Sequence, residues 1–409
     1  MRFQDRKNPW LILIVCVAAI ISMLSFALWP VFLIKLRESW YLSNTDIGLI
    51  SGAYFLGYVT ATPILVGFTD KFDAKWIFIA GCFVSLLGNM GFALFAEDFW
   101  SALICWSLVG AGLAGTYMPG LQILNGRLSD KERVSAVPWY TSCFGIGTGS
   151  SYLLMGYMLI NFDHKIAACL GIAASTISIL IIYFLVSSNA YLKKESSKSR
   201  HPLDFRPVFR KPVALSYIFS YGAHTFELIA YRSWSFALFF FLGSNTTPKL
   251  SISSITTIVS AITITGMIAS ILGAKICQKH LRHKIISLVG LMTTIAAILS
   301  AFLLQSTIFI SIAMLWIYHF FIMLDSGALT AGAVESSDPD NRGAVLAVHS
   351  MIGFMGGAFG GPVIGVVLDK FGGGNSYIAW FSVLIAMGIG SFLVLLIQLR
   401  FWYQIHHSR

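Results

Sequence analysis

Long apolar runs, separated by short polar and charged segments, dominate the chain. A helix that crosses a bilayer needs about 20 mostly apolar residues, and twelve stretches meet that length. They are 10–34, 47–69, 76–96, 99–124, 134–160, 166–187, 213–243, 252–277, 285–304, 307–333, 343–368 and 377–401. We therefore predict an all-α membrane protein whose twelve transmembrane helices form two pseudo-symmetric six-helix bundles. The N-terminal bundle covers residues 1–187, a basic cytoplasmic linker covers 188–212, and the C-terminal bundle covers 213–409.

Composition supports a lipid environment. Hydrophobic residues make up 56% of the chain and charged residues only 11%, and the mean hydropathy is +0.76. Soluble domains carry about 25% charged residues, so this chain has too little charge to cover a water-exposed surface. The net charge of +10 is spread over the segments between apolar runs, which is typical of membrane topology and not of a nucleic-acid partner.

The placement of lysine and arginine predicts the orientation. With both termini inside, 22 of the 28 basic residues lie in cytoplasmic segments, five lie outside and Arg232 lies within a span. Cytoplasmic segments carry the excess of basic residues in membrane proteins. We expect a multi-pass plasma-membrane protein, in the inner membrane if the source is Gram-negative, with both termini cytoplasmic. The linker is either a solvated segment or an amphipathic surface helix.

The two halves repeat one another. Residues 128–137 and 337–345 each contain Ser-Asp followed by polar residues and an arginine that opens the next span. These arginines, Arg133 and Arg342, follow the fourth and tenth spans. Such repeats favour a duplicated six-helix unit, which is a common transporter design.

The loop after the second span carries a family resemblance. Residues 66–75 read Val-Gly-Phe-Thr-Asp-Lys-Phe-Asp-Ala-Lys, which resembles the acidic-basic signature of the major facilitator superfamily at Asp70, Lys71, Phe72 and Lys75. The signature's glycines are displaced or replaced. The resemblance implies the fold predicted above and a secondary transporter that works by alternating access. It also implies a gating role for Asp70.

A gating loop has a physical basis. Carboxylates and cations at adjoining helix ends can pair with each other and with helix dipoles, and so hold one conformation. The candidates for such a cytoplasmic latch are Asp70, Lys71, Lys75, Arg133 and Arg342. The alternative is that they are ordinary charged loop residues.

Two departures from the family pattern bear on the type of transport. Proton-coupled drug antiporters of the superfamily usually carry an arginine in the fourth span, where this chain has Trp106. The antiporter-type Gly-Pro pattern of the fifth span is reduced to Gly145, Gly149 and Ser150. Both departures count against drug/proton antiport.

The eleventh predicted span contains a regular row of glycines. Gly353, Gly357, Gly361 and Gly365 recur every fourth residue, with Pro362 among them. This spacing places the glycines along one side of a helix, where a neighbouring backbone can approach closely. The row serves either static packing or packing that slides during transport.

Ionisable residues inside the spans are the candidates for function. Glu227 and Asp325 are the acidic residues well inside a span, Arg232 is comparably deep, and His224, His319 and His349 are also within spans. A charge at the bilayer centre costs about 2.5–3.5 kcal/mol on insertion scales, so such residues usually face a cavity or a partner. His349 is interpreted as a packing residue.

The seventh span concentrates three of these groups. At about 100° per residue, His224 lies about 60° from Glu227 and about 80° from Arg232, so all three fit one broad polar face. Glu227 could load and release a proton, while Arg232 could hold a substrate anion. The alternative is a structural ion pair of Glu227 with Arg232 or His224. We select five residues for proton coupling or substrate binding: Glu227, His224, Arg232, Asp325 and His319.

The function predicted from sequence is secondary active transport of a small solute, with the proton as candidate coupling ion in symport. Arg232 and His224 favour small organic anions or zwitterions. The alternatives are proton-coupled efflux of hydrophobic compounds and, from another class, a membrane-embedded sensor or enzyme. The sequence shows no metal cluster and no nucleotide-binding loop, so we predict no enzyme activity, cofactor or metal. The expected partners are the substrate and lipid, and the expected state is a monomer.

Overall fold

The computed structural model describes residues 9–69, 71–188, 205–279, 281–337 and 342–407, and within these ranges the regular structure is helical. The helices are α1 Pro9–Ser22, α2 Leu28–Ser39, α3 Asn44–Phe68, α4 Ala74–Phe95, α5 Phe99–Arg127, α6 Asp130–Asn161, α7 His164–Leu185, α8 Arg206–Phe209, α9 Pro212–Asn245, α10 Ile252–Lys279, α11 Arg282–Phe302, α12 Ile308–Leu324, α13 Ser326–Glu335, α14 Arg342–Lys370 and α15 Tyr377–His407. A 3₁₀ turn, Leu303–Gln305, follows α11.

The all-helical membrane fold predicted from sequence is confirmed, although the count of twelve spans is not confirmed in full. Ten helical stretches of the described residues are long and apolar enough to cross a membrane. The other two predicted spans are 10–34, which is divided between α1 and α2, and 213–243, which corresponds to α9. With 34 residues, α9 is about 51 Å long, which is more than enough to cross a bilayer. Its polar composition, and not its length, therefore distinguishes it from the ten apolar spans.

The first predicted span is interrupted by a turn at residues 23–27. The hydroxyl of Ser151 in α6 accepts a hydrogen bond from the amide of Ala27 at 2.8 Å and donates one to the carbonyl of Leu24 at 2.7 Å. Backbone groups freed within a bilayer must find partners inside the protein. One serine from a neighbouring helix therefore makes this interruption tolerable.

The tenth predicted span, 307–333, is interrupted at Asp325. This residue ends α12 and precedes α13, and its own carbonyl accepts the hydrogen bond from the amide of Leu329 that begins the new helix, at 2.9 Å. The interruption places a carboxylate next to the N-terminus of α13.

Two compact units divide the chain. One comprises Met1–Phe32 and Leu56–Pro202, and the other comprises Leu33–Phe55 and Leu203–Arg409. The first unit has a buried core that includes Val15, Phe78 and Tyr140. In the second unit, α9 packs against α14 and α15, and it is buried along most of its length. The predicted domain boundary at 188–212 stays a prediction, since 189–204 lie outside the described residues.

Candidate functional site

The second unit buries an unusual number of polar side chains around α9. Glu227 is fully buried, His224 is 2% exposed and Arg232 is 4% exposed. Asp325 and His319, the two candidates from the tenth span, are 6% and 1% exposed. All five residues selected from sequence are therefore buried in one unit.

Hydroxyl groups surround the carboxylate of Glu227. The hydroxyl of Tyr318 in α12 donates a hydrogen bond to Oε1 at 2.6 Å, and the hydroxyl of Ser391 in α15 donates a short one to Oε2. Gly390 lies beside the same side chain, where an added Cβ would come within 2.7 Å of the Cβ of Glu227. Glu227 is thus fixed by two neighbouring helices, α12 and α15, with both oxygens occupied by neutral donors.

His224 pairs with Asp325. Nδ1 of His224 lies 2.8 Å from Oδ1 of Asp325, which joins α9 to the interruption between α12 and α13. The opposite ring nitrogen of His224, Nε2, is buried without a hydrogen-bond partner among the described residues. One ring nitrogen of this imidazole is thus held by a carboxylate, while the other is available for a hydrogen bond with a ligand.

A cation and a second histidine lie near this pair. The guanidinium of Arg232 approaches the sulfur of Met323 at 3.9 Å and is close enough to His319 to act on it electrostatically. Both ring nitrogens of His319 are buried with no hydrogen-bond partner in the described part of the chain. Its ring packs at 5.0 Å from that of Tyr231, and Gly266 lies against its edge.

Two groups emerge from this geometry. The Glu227 group consists of Glu227, Tyr318 and Ser391. The cation group consists of Arg232, His319 and the His224–Asp325 pair. On α9, Glu227 and Arg232 are five residues apart, which is about 140° of rotation, so they lie at opposite edges of the broad polar face predicted from the sequence. Sequence spacing did not reveal Tyr318 and Ser391 as the partners of Glu227, since they come from other helices.

His349 lies beside the cation group. Its ring stacks on that of Tyr221 at 4.0 Å, and Tyr221 stacks in turn near His224 at 5.6 Å. Nε2 of His349 lies 3.1 Å from the hydroxyl of Thr330. Nδ1 of His349 is buried with no hydrogen-bond partner in the described part of the chain, so its interpretation as a packing residue stays a prediction.

Of the residues proposed for gating, the structure describes the side chains of Lys71, Lys75 and Arg133, all in the first unit. Asp70 lies outside the described residues, as does the side chain of Arg342 in the second unit. Lys71 is exposed, whereas Lys75 is 5% exposed and donates a hydrogen bond to the carbonyl of Tyr183 at 2.9 Å. Arg133 donates to the carbonyl of Leu128 at 3.0 Å.

An ion pair beside this loop was not anticipated. Nη2 of Arg127, at the end of α5, contacts both carboxylate oxygens of Asp73 at 2.6 and 2.8 Å, and both side chains are largely buried. Asp73 also caps α4 through the amide of Lys75 at 3.1 Å. The sequence signal was available, because Asp73 directly precedes a helix, but the partner is 54 residues away.

The glycine row of α14 lies against neighbouring elements of the second unit. A Cβ at Gly357 would come 2.9 Å from Cγ1 of Ile229, and one at Gly361 would come 2.8 Å from Cβ of Ser51. Gly353 faces the ring of Tyr221, and Gly365 faces the carbonyl of Asn44. Pro362 lies within α14. Whether these contacts slide during function stays a prediction.

A polar junction joins the start of α3 to the end of α14. Oδ1 of Asp369 accepts hydrogen bonds from the backbone amide and side-chain amide of Asn44 at 3.1 and 2.6 Å. Oδ2 accepts from the backbone amide and hydroxyl of Thr45 at 2.8 and 2.7 Å. One carboxylate thus caps the N-terminus of another helix, where the helix dipole favours negative charge. Asp369 directly follows the predicted span 343–368, and the spacing of residues along the chain holds no signal for this contact.

Comparison with known proteins identifies related chains. A family model for the Major Facilitator Superfamily matches residues 14–361. Multidrug resistance protein 2 of Bacillus subtilis (strain 168) is 21% identical over 343 residues, which cover 80% of this chain and 81% of that protein. Protein spinster homolog 3 of Danio rerio is 20% identical over 156 residues, which cover 38% of this chain and 31% of that protein.

Solved structures share the fold. The bacterial homologue of the human lysosomal transporter Spinster, inward-facing and unoccupied, gives a TM-score of 0.78 at 14% identity and 97% coverage of both chains. The D-xylose-proton symporter gives 0.76 at 12% identity, covering 96% of this chain and 97% of that one. The nucleoside transporter NupG gives 0.72 at 17% identity, covering 96% and 99%. The matched family and these three structures are transporters and not enzymes.

Proposed function

Because the chain belongs to the major facilitator superfamily and is a multi-pass membrane transporter, we propose that it moves a small organic anion or zwitterion by alternating access, coupled to protons. The observation that carries the substrate class is the cation group: Arg232 lies beside buried His319, whose two ring nitrogens lack partners among the described residues, and His224, whose Nε2 lacks one. Buried polar atoms are normally hydrogen-bonded, so a partnerless His319 ring, which can donate a hydrogen bond from one nitrogen, is suited to bind an anionic ligand next to the Arg232 cation.

Each member of the cation group has a defined role in this proposal. Arg232 supplies a planar set of donors that matches a carboxylate or phosphate. His319 adds a neutral ring that can donate or accept, since both its nitrogens are available. Asp325, held by His224, gives a zwitterionic substrate a place for its cationic end.

The Glu227 group is proposed as the proton site. A carboxylate that is fully buried, with hydroxyl donors on both oxygens, pays a desolvation cost that protonation removes. Tyr318 and Ser391 can stay hydrogen-bonded to either form, because a hydroxyl both donates and accepts. Since Tyr318 and His319 are consecutive in α12, a change at Glu227 can reach the cation group through one helix.

A binding screen tests the substrate class. Purified protein would be tested by thermal shift against small organic anions, zwitterions, neutral sugars and nucleosides, and each hit would be checked by counterflow in proteoliposomes. We expect the stabilising compounds to carry a carboxylate or phosphate and to exchange saturably. Stabilisation and exchange confined to neutral compounds would contradict the proposal.

Efflux of hydrophobic compounds is the second candidate. It is favoured by the similarity to the Bacillus subtilis multidrug resistance protein, which extends over 80% of the chain, and by the aromatic residues Tyr221, Tyr231 and Trp234 that accompany the charges on α9. In the same screen, stabilisation by unrelated lipophilic cations would favour this candidate over the first.

We propose that the protein lies in the plasma membrane with both termini in the cytoplasm. We expect a reporter fused after Lys198 and one fused after Arg409 to give cytoplasmic signals, because basic residues concentrate in the segments assigned to that side. Fusions with alkaline phosphatase and with green fluorescent protein at the same two positions provide opposite readouts. A periplasmic or extracellular signal at either position would overturn the topology.

Gating is proposed at both ends of the α3–α14 pair. At the cytoplasmic end the candidates are Asp70, Lys71, Lys75, Arg133 and Arg342, as the family resemblance implies. At the opposite end, which the orientation makes extracellular, Asp369 caps the start of α3. Breaking these hydrogen bonds would be required before the two helices could part.

Asp369→Asn tests the extracellular contact. Loss of the charge weakens the cap, and N-cap substitutions cost about 0.5–2 kcal/mol, so we expect the open state to become about 2- to 30-fold more populated. The measurement is the labelling rate of a cysteine introduced at the buried position Tyr54 by a membrane-impermeant maleimide.

The matched control is Lys370→Gln, which changes the adjacent exposed charge. We expect it to leave the labelling rate of the Tyr54 cysteine unchanged. If Asp369→Asn also leaves this labelling rate unchanged while the protein stays folded and active, the cap does not restrain opening.

A further inference from the structure

An apolar groove lies on the side of the second unit where α9, α14 and α15 meet. Its volume is about 670 Å³, and the residues lining it include Ala223, Ile352 and Leu393. Gly222 of α9 and Gly356 of α14 also line it, and their backbones touch there. At these two glycines no side chain extends into the groove, which leaves room for an apolar group.

The groove faces away from the proposed substrate site. On α9, Phe219 lines the groove and is 48% exposed, whereas His224 and Arg232 are each about 140° away around the helix. On α15, Leu393 lines the groove and is 43% exposed, while Ser391 points to Glu227. An exposed apolar surface on the outside of a membrane protein is solvated by lipid chains and not by water.

A single cation lies at one end of the groove. Arg400 lines it, is exposed, and has no ion pair or hydrogen bond within the residues that the structure describes. It follows Leu393 by seven residues, which is about 10 Å along α15. In the proposed orientation, α15 runs toward the cytoplasm, so Arg400 reaches the headgroup level of the cytoplasmic leaflet while Leu393 lies among the acyl chains.

We propose that this groove is a binding site for an anionic phospholipid of the cytoplasmic leaflet. An acyl chain fills the groove along Ala223, Ile352 and Leu393, and the lipid phosphate pairs with the guanidinium of Arg400. The match is one of charge and of position, since the apolar lining ends at a cation at the depth of the phosphates. Anionic headgroups of that leaflet attract basic side chains at the membrane surface. The leaflet assignment rests on the proposed orientation, whereas the lipid contact itself does not depend on transport.

Native mass spectrometry with defined lipids tests the site. The purified protein would be titrated with dioleoylphosphatidylglycerol and, separately, with dioleoylphosphatidylcholine, and the first binding event would be quantified. We expect about fivefold tighter binding of phosphatidylglycerol, because one basic side chain near the surface contributes about a factor of five. Arg400→Gln should remove this preference.

Matched variants separate the specific site from general surface charge. Arg210→Gln removes an exposed arginine outside the groove and should keep the preference. Ala223→Leu and Leu393→Trp each fill the groove and should weaken the first binding event for both lipids while leaving Arg400 in place. The proposal is overturned if Arg210→Gln and Arg400→Gln reduce the preference equally, if wild type binds both lipids alike, or if neither groove-filling variant weakens binding in a folded protein.

Discussion

Glu227→Gln is expected to abolish proton-driven accumulation of the substrate while preserving substrate exchange. A pH difference of one unit can drive about tenfold accumulation when one proton moves with each neutralised substrate, and the variant should fall to no accumulation above equilibrium. The reason is that Gln keeps the volume and the hydrogen bonds to Tyr318 and Ser391 but cannot ionise. Counterflow in proteoliposomes measures the substrate exchange. Uptake into the same proteoliposomes, with and without an imposed pH gradient, measures the proton-driven accumulation.

Tyr318→Phe and Ser391→Ala provide the matched controls. Each removes one hydrogen bond to Glu227 and leaves the ionisable group in place, so coupling should persist with an altered pH profile of uptake. Glu227→Gln that still accumulates substrate about tenfold would show that the proton is carried elsewhere.

Arg232→Gln is expected to weaken substrate binding by about 10- to 150-fold, because a hydrogen bond to a charged group contributes about 1.5–3 kcal/mol. Arg232→Lys should recover only part of the loss, since lysine lacks the planar pair of donors that matches a carboxylate. Binding would be measured by titration calorimetry with the best compound from the anion screen. His349→Gln, in the packing region beside the cation group, is the control and should change affinity by much less.

The double variant Glu227→Gln with Arg232→Gln distinguishes function from a structural ion pair. If the two residues mainly neutralised each other, the double variant would recover thermal stability that either single variant loses. The geometry predicts no such recovery, since Glu227 is held by Tyr318 and Ser391 and lies about 140° around α9 from Arg232. Recovery of both thermal stability and gradient-driven transport in the double variant would contradict a role of Glu227 in proton coupling.

The membrane fold was predictable because lipid imposes a simple length rule. Ten spans follow directly from runs of apolar residues. The two exceptions also have physical causes. The interruption of the first span is tolerated because Ser151, more than 120 residues away, hydrogen-bonds its freed backbone. The seventh is too polar to meet the composition of an ordinary span, and this polarity is what made it a candidate for function.

The burial of the candidate residues was predictable from the sequence, but their pairing was not. The cost of charge in a bilayer was enough to select Glu227, Arg232 and Asp325, and all are buried. Helix periodicity could not show that Glu227 contacts hydroxyl groups or that Asp325 ends a helix. Contacts such as Asp73 with Arg127 and Asp369 with Asn44 join distant segments, and one sequence holds no signal for such long-range partners.

The most direct test of the account is uptake driven by a proton gradient alone. Proteoliposomes would contain the protein and equal concentrations of the identified substrate inside and outside, with the interior made more alkaline by one unit. We predict that the substrate accumulates inside, saturably, and that a protonophore returns it to equilibrium. A substrate that equilibrates across the membrane but never accumulates under this gradient would contradict proton-coupled transport.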